Sequence, residues 1–242
     1  MEIINILKQK AETLIDWIYP RRCPVCDRVS PYGTRICPAC RGALTPVSQN
    51  CCVKCGKPLR RGQIEYCGDC KEREHAYFMG RAAYIYQGEI RASIYRMKYG
   101  GRREYAEFYG KQMWMLLGDF IKATGAEALI PVPLSSKKMA KRGYNQAQCL
   151  AKALSKEAGI PVLDDLVVRI RDTAPQKQLD ESERQNNLKK AFKIGRNDVE
   201  LKITIIIDDI YTTGSTIDAV ARVLKKAGVR RIYFVALAIG KQ

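Results

Sequence analysis

The stretch ITIIIDDIYTTGST, residues 203–216, runs from an apolar strand into two acids and then into a loop of small polar residues before a helix. The paired carboxylates of Asp208 and Asp209 can accept hydrogen bonds from the vicinal hydroxyls of a ribose. The loop can offer hydroxyls and backbone N–H groups to a phosphate, aided by the helix dipole, through Thr212, Thr213, Gly214, Ser215 and Thr216. A simple N-capped turn is the alternative, but it leaves the adjacent acids unexplained. The stretch therefore predicts a sugar-phosphate site.

Strand patterns alternate with helix patterns from about residue 80 onward. Strands are predicted at 82–87, 128–134, 165–170, 191–194, 203–207 and 232–239, and helices at 89–99, 104–122, 144–158 and 215–227. Alternation of this kind predicts an α/β domain over residues 80–242, with a mostly parallel sheet and helices on both faces. Ligands of such sheets bind beyond the carboxyl ends of the strands, and we expect Asp208 and Asp209 to end the central strand there.

Eight of the ten cysteines form four Cys-x-x-Cys pairs, separated by gaps of 10, 11 and 11 residues. Each pair can form a knuckle that aims two thiolates at one metal, and two knuckles complete a tetrahedral zinc site. Four disulfides are one alternative, but they would need an export signal, which we do not expect because charges interrupt the N-terminal apolar residues. A redox site is another alternative, but four evenly spaced pairs are too many for one active dithiol. We therefore predict a double zinc ribbon over residues 21–75, with two structural zinc ions held by Cys23, Cys26, Cys37, Cys40, Cys52, Cys55, Cys67 and Cys70.

The near-equal gaps leave the pairing of the knuckles open. The first knuckle can combine with the second and the third with the fourth, or the pairs can be crossed. We favour the sequential arrangement. The lone histidine, His75, is expected to be a surface residue rather than a further ligand.

The chain is strongly basic, with 42 lysines and arginines against 25 acids and a net charge of +17. This balance favours polyanionic partners, such as phosphorylated small molecules, nucleic acid or an anionic membrane surface; solubility alone is the alternative. Apolar runs such as 128–134 are far shorter than the roughly 20 residues of a membrane span. Residues 1–20 have the pattern of an amphipathic helix that docks on the fold, with a membrane or partner surface as the alternative. We expect a cytoplasmic protein without a transmembrane segment, or else a membrane-peripheral one.

The segment DDIYTTGST resembles the phosphoribosyl-pyrophosphate (PRPP) signature of type I phosphoribosyltransferases. The chain as a whole resembles the ComF family, in which a double zinc ribbon precedes such a domain. Four further segments carry the resemblance over nearly the full length: YPRRCPVC (19–26), MKYGGRREYA (97–106), PVPLSSKKMAKRGYNQAQ (131–148) and TAPQKQLDESERQNNLKKAF (173–192). The resemblance implies a type I phosphoribosyltransferase-like fold.

The resemblance also implies roles for individual residues. Asp208 and Asp209 would meet the ribose hydroxyls of PRPP, and the loop 212–216 its 5′-phosphate. The pyrophosphate would lie at a loop formed by Leu134, Ser135, Ser136, Lys137 and Lys138, with Arg142 adding positive charge. Segment 171–190 is similar to the mobile loop that covers PRPP, and it would bring Arg171, Lys177 and Arg184 to phosphate oxygens; a plain surface loop is the alternative. Mg²⁺ would arrive with the pyrophosphate rather than in a dedicated protein cage.

Three functions fit these observations. The first is the handling of single-stranded DNA during uptake, together with proteins of the uptake machinery, because ComF members are associated with natural transformation. Tyrosines near basic residues, as in residues 95–99 and 142–144, could stack on bases, although core or surface roles are the alternative. The second is an active phosphoribosyltransferase whose acceptor and general base no segment identifies. The third is a PRPP sensor without turnover, so the sequence leaves catalysis open.

Overall fold

The centre of the molecule is a four-stranded parallel sheet. The computed structural model describes residues 20–31, 33–170, 191–196 and 200–241. The strands Met79–Ile85 (β1), Ala128–Pro131 (β2), Ile203–Tyr211 (β5) and Arg231–Ile239 (β6) lie in the order β1-β6-β5-β2, and every neighbouring pair is parallel. Val167–Arg169 (β3) and Phe192–Ile194 (β4) form a separate antiparallel pair. The predicted α/β fold with a mostly parallel sheet is confirmed.

Helices cover both faces of this sheet. The helices of the described residues are Gly68–Glu72 (α1), Gly88–Tyr99 (α2), Tyr105–Thr124 (α3), Ser136–Arg142 (α4), Gln146–Ala158 (α5) and Ser215–Lys226 (α6). On one face, α2, α3 and α5 pack against β5 side chains such as Ile207. On the other face, α6 packs against Ile206 and Phe234. Since both faces are covered, β5 and β6 consist largely of buried apolar residues, as is usual for parallel strands.

The central strand continues past the point where the sequence analysis ended it. Asp208 and Asp209 lie within β5, which pairs with β6 as far as Tyr211 opposite Ile239. On its other side, β5 loses its partner earlier, because β2 ends at Pro131, opposite Ile207. The expectation that the two acids end the strand is therefore wrong. They lie instead just past the end of β2, on the side of the sheet formed by the carboxyl ends of the strands, the position at which parallel sheets bind ligands.

The cysteine-rich segment has little regular structure of its own. Its regular elements in the described residues are a short 3₁₀ turn, Pro38–Cys40, and helix α1. Its first half places Ile36 and Leu44 against the core that contains α2 and α3. Its second half contributes Cys52 and Cys67 to the core on the α6 face. The two halves thus add to the cores on opposite faces of the sheet.

Two expected segments lie outside the described residues. These are residues 1–19 of the amphipathic N-terminal helix and the segment 171–190. In the described part of the chain, no helix combines the length and the apolar character that crossing a bilayer requires.

Candidate functional site

The two acids of β5 are joined to a lysine from another element. The Nζ atom of Lys98, in the last turn of α2, lies 2.6 Å from Oδ2 of Asp209. Both side chains are largely enclosed, with exposed fractions of 18% for Lys98 and 6% for Asp209. The backbone N–H of Asp209 donates to Oδ1 of Asp208 at 2.8 Å. The acid pair is therefore held in a defined arrangement beside one positive charge.

The surroundings of the acid pair change the pKa of Asp208. Although Asp208 keeps some exposed surface, burial of its carboxyl raises its pKa well above the usual range, and the adjacent Asp209 carboxylate raises it further. The Lys98 ammonium opposes this rise. Two neighbouring carboxyls that cannot both ionise easily offer one proton donor and several acceptors, which suits the vicinal hydroxyls of a sugar.

The TTGST loop (residues 212–216) follows β5 and ends at the start of α6. Gly214 has a φ of 82°, in the left-handed region, and caps the helix that begins at Ser215. A Cβ at Gly214 would lie 2.6 Å from the hydroxyl of Tyr211, so a side chain has no room there. The hydroxyls of Thr213 and Ser215 are 3.0 Å apart, so both face the same place. The loop therefore presents hydroxyls beside a helix N-terminus, an arrangement suited to phosphate.

The segment expected to form a pyrophosphate loop is only partly a loop. Leu134 and Ser135 follow β2, but Ser136, Lys137 and Lys138 form the first turn of α4, so their assignment to a loop is wrong. The helix forms because Ser135 caps it, accepting from the backbone N–H of Lys138 at 3.4 Å. Downstream, Asn145 caps α5 and donates from Nδ2 to the carbonyl of Val132 at 2.9 Å, which fixes the exit of β2.

Positive charges gather around this helix. Partial desolvation lowers the pKa of Lys138, and the charges of Arg169 and Arg142 lower it further, although much of the lysine side chain is exposed. Lys98 contributes to the same effect. Cations that repel one another in this way stabilise an anion placed among them. Arg169, at the end of β3, was not singled out from the sequence, where it is one basic residue among many.

An aromatic and basic surface adjoins these cations. Tyr95 and Tyr99 are one helical turn apart on α2, with ring centroids 4.9 Å apart and exposed fractions of 64% and 53%. The guanidinium of Arg142 lies 4.9 Å from the Tyr99 ring centroid and donates to its hydroxyl at 3.1 Å. Together with Lys98 and Lys141 they line a cavity of about 630 Å³, which we call the tyrosine cleft. Tyr144 was also suggested for base stacking. Its hydroxyl instead donates to the carbonyl of Met97, which is a contact within the fold.

The eight predicted zinc ligands form two clusters. Cys23, Cys26, Cys37 and Cys40 make the first, Cys52, Cys55, Cys67 and Cys70 the second, and within each cluster the sulfur atoms all lie within 4.8 Å of one another. This is the sequential pairing. The Sγ atoms of Cys26 and Cys37 are 3.6 Å apart, close to the separation of about 3.8 Å that a tetrahedral site with Zn–S bonds of about 2.3 Å requires.

The thiol chemistry also fits a cation. Burial, then the neighbouring thiols, raise the pKa of Cys40, and hydrogen bonds with Cys52 and Cys55 followed by burial raise the pKa of Cys70. Four such thiols cannot all ionise together without a positive ion, and a bound Zn²⁺ supplies that charge. The two Cys₄ clusters are thus consistent with two structural zinc ions.

His75 is not the surface residue expected from the sequence. Its side chain is only 2% exposed, and Nδ1 lies 2.8 Å from Oδ2 of Asp218 on α6. A small cavity of about 200 Å³ between His75 and α6 is also lined by Thr213 and Ser215 of the TTGST loop. An acid in the first turns of a helix is common enough that Asp218 gave no signal in the sequence. The lid residues Arg171, Lys177 and Arg184 lie outside the described residues.

Comparison with known proteins gives two family matches along the chain. Residues 14–71 match the double zinc ribbon domain, and residues 140–242 match the phosphoribosyl transferase domain. A solved purine phosphoribosyltransferase from Pyrococcus horikoshii Ot3 covers 55% of this chain and 73% of its own, with 16% identity and a TM-score of 0.35, too little likeness to support an inference.

Similar proteins span most of the chain. Competence protein F of Haemophilus influenzae is 29% identical over 84% of this chain and 96% of its own. The DNA utilization protein YhgH of Escherichia coli is 28% identical over 81% of this chain and 87% of its own. Competence protein ComFC of Bacillus subtilis is 27% identical over 80% of this chain and 79% of its own. The chain thus joins a double zinc ribbon to a phosphoribosyltransferase domain, and over most of its length it is similar to proteins named Competence protein F and Competence protein ComFC.

Proposed function

We propose that this protein binds PRPP beyond the carboxyl ends of β5 and β2. The observation that carries the proposal is the convergence of three groups at one edge of the sheet: the acid pair with Lys98, the TTGST loop, and the cations around α4. A ribose that carries phosphate at both ends needs hydroxyl acceptors at its centre and anion sites on either side. These groups supply both kinds of contact.

Each part of the ligand has a matching set of residues. Asp208 and Asp209 take the ribose hydroxyls, and Thr212 to Thr216 take the 5′-phosphate through hydroxyls and the helix N-terminus. Ser135, Lys138 and Arg142 lie on the side where the pyrophosphate would be. Mg²⁺, when bound with the ligand, neutralises part of the pyrophosphate charge. The lid role of residues 171–190 stays a prediction.

Lys98 has a particular part in this proposal. Its ammonium balances the charge of Asp209 while the ribose is absent. Once a ribose hydroxyl donates to Asp209, the lysine is within reach of a second anion, and the pyrophosphate is the nearest one this proposal supplies. Lys98 would therefore lower the cost of keeping two adjacent acids in an empty site and contribute charge to a filled one.

Calorimetric titration of PRPP with Mg²⁺ tests the site. Asp209→Asn and Asp208→Asn should each weaken binding by tenfold or more, because an amide can serve the hydroxyls only in part. Asp164→Asn is the matched control, since this acid contacts Gln148 and Lys152 of α5 rather than the acid pair. Unchanged affinity in both site variants would remove the ribose assignment.

The biological setting we propose is the handling of single-stranded DNA during uptake. Relatives named competence proteins and DNA utilization proteins support it, as does the tyrosine cleft, where exposed aromatic rings stand among cations. Proteins of the uptake machinery are the corresponding partners. An active phosphoribosyltransferase with an unidentified acceptor and a PRPP sensor without turnover are the alternatives. A pyrophosphate-release assay with mixed acceptors, including single-stranded DNA, separates them: release supports the enzyme, and binding without release supports the sensor.

A further inference from the structure

A short segment after the second cysteine cluster contacts the chain beyond the TTGST loop. Nδ1 of His75 lies 2.8 Å from Oδ2 of Asp218, and the backbone N–H of Ala76 donates to Oδ1 of the same carboxylate at 2.7 Å. Both oxygens of Asp218 are thus held by consecutive residues. Asp218 is in the first turns of α6, and its own N–H donates to the carbonyl of Gly214 at 2.8 Å. The segment therefore fixes the start of the helix on which the loop ends.

The same segment contacts the chain before the loop. The hydroxyls of Tyr77 and Tyr211 are 2.7 Å apart, and the two residues are 1% and 2% exposed. Burial raises the pKa of both phenols, so both stay neutral, with one donating and the other accepting. The Tyr211 hydroxyl also lies under the turn at Gly214, where it fills the space of a Cβ. Residues 75–77 consequently support the TTGST loop at both of its ends.

The second cysteine cluster lies directly behind this support. Cys52, Cys55 and Cys67 are fully buried in the core that also contains Tyr77 and Tyr211. Lys54 and Lys57, which flank Cys55, place their ammonium groups 5.4 Å from the Tyr77 ring centroid and 5.9 Å from the Tyr211 ring centroid. The knuckle of Cys52 and Cys55 therefore has lysine side chains over the rings of both tyrosines.

The first cluster is anchored to different elements. Ser93 and Arg96 of α2 donate to the carbonyls of Pro24 and Val25, in the knuckle of Cys23 and Cys26. Asp27 is paired with Arg102 at 3.0 Å and accepts from the hydroxyl of Tyr105 on α3. The two clusters thus provide an internal comparison, because the same metal chemistry is connected to different parts of the fold.

We propose that the second zinc site positions the TTGST loop, with His75 and Tyr77 as positioning residues between the metal site and the loop. The ligand consequence rests on the proposed function, in which this loop binds a phosphate. Zinc occupancy of the second site and phosphate binding at the loop then stabilise each other, because coupling between two sites is reciprocal. The zinc ribbon is on this view part of the ligand site rather than a separate module.

The experiment measures loop order and ligand affinity in the same set of full-length variants. Hydrogen exchange of residues 209–218 reports on the loop without any ligand, and titration with ribose 5-phosphate reports on phosphate binding. The variants are Tyr77→Phe, which removes one hydroxyl, His75→Ala, and His75→Asn, whose amide can reach the position of Nδ1. Tyr84→Phe is the matched control, because Tyr84 is equally buried and donates to Gln112 at 2.7 Å on the opposite face.

Tyr77→Phe and His75→Ala should speed hydrogen exchange in residues 209–218 and weaken the binding of ribose 5-phosphate about tenfold. His75→Asn should keep both the exchange rate and the affinity close to those of the wild type. Partial removal of zinc by a chelator should produce the same local increase in exchange, and ribose 5-phosphate should slow the release of one of two zinc ions. If the variants exchange faster but the wild type does not bind ribose 5-phosphate, the positioning role is supported and the proposed ligand is removed. Unchanged exchange and affinity in the variants, with the wild type binding normally, would overturn the positioning role and leave the proposed function standing.

Discussion

Lys98 at the end of α2 forms an ion pair with Asp209 in β5, with 2.6 Å between Nζ and Oδ2. This ion pair joins the segment MKYGG to the two acids of β5 that precede the TTGST loop, although the two segments are far apart in the sequence. Because little of either side chain is exposed, water cannot solvate one partner fully when the other is removed, and the loss of the pair costs stability. Its first consequence is for stability.

Lys98→Met keeps the length of the side chain but leaves the Asp209 carboxylate buried, unpaired and next to Asp208. We expect the free energy of unfolding to fall by about 3–5 kcal/mol, the usual cost of breaking a buried pair. Urea denaturation of the variant measures this. Lys152→Met is the control, since its pair with Asp164 has a lysine that is 59% exposed and should cost less than about 1 kcal/mol. Equal losses in both variants would contradict a buried pair.

The acid pair also predicts a pH dependence. The pKa of Asp208 is raised in the folded state by burial and by Asp209. The folded state therefore holds this proton more tightly than the unfolded state, so the contribution to stability is complete below about pH 3.9 and is lost as the pH rises through the raised pKa. The difference in unfolding free energy between wild type and Asp208→Asn should follow this course. A flat difference for Asp208→Asn would refute the raised pKa.

The TTGST loop offers a matched pair of glycines. Gly214 and Gly125 both have a positive φ, 82° and 63°, but a Cβ at Gly125 meets nothing within 4 Å, whereas at Gly214 it meets Tyr211. Gly125→Ala should cost about 1–2 kcal/mol of stability for the left-handed backbone alone. Gly214→Ala should lower the stability by more than this and should also weaken the binding of ribose 5-phosphate. Thermal unfolding and titration of both variants give the comparison, and equal effects would mean that Tyr211 yields to the new methyl group.

The sequence was sufficient for the parts of the fold that depend on local pattern. The apolar run before Asp208 could be recognised as a buried strand, and the Cys-x-x-Cys spacing singled out the eight cysteines that form the two clusters. The end of β5 was missed because strand pairing with β6, a long-range contact, carries the strand past the acids. Helix α4 was missed because Ser135 caps a segment whose composition also suits a loop.

The contacts between distant segments could not be predicted at all. His75 had no neighbour in the sequence that marked it for burial, and its partner Asp218 is on α6. Lys98 was one basic residue in a segment with several, and only the packing of α2 on the sheet brings it to Asp209. Side chains that meet through tertiary packing leave no periodic signal in either segment.

The zinc content is the next prediction. Purified protein should contain two zinc ions per chain, and Cys149→Ser should keep both, because Cys149 is outside the clusters. Cys37→Ser and Cys67→Ser should each lose one. Cys67→Ser should lower the melting temperature more, since Cys67 is fully buried in the core on the α6 face while Cys37 is partly exposed. Mass-spectrometric metal analysis with calorimetry tests this, and fewer than two zinc ions in the wild type would contradict the ligand assignment.

The tyrosine cleft gives the last prediction, on the nucleic acid of the proposed function. If single-stranded DNA binds there, a base can stack on the exposed ring of Tyr95, which would contribute about 1–3 kcal/mol. Tyr95→Ala should therefore weaken the binding of a labelled oligonucleotide by roughly 5- to 150-fold, while Tyr95→Phe should bind it normally. Tyr66→Ala is the control, as an exposed tyrosine of the second ribbon. Lys141→Ala should act differently, lowering the slope of log affinity against log salt by about 0.7 for the one phosphate contact it removes. A loss in Tyr66→Ala equal to that in Tyr95→Ala, or binding that ignores salt, would place the DNA elsewhere or remove it altogether.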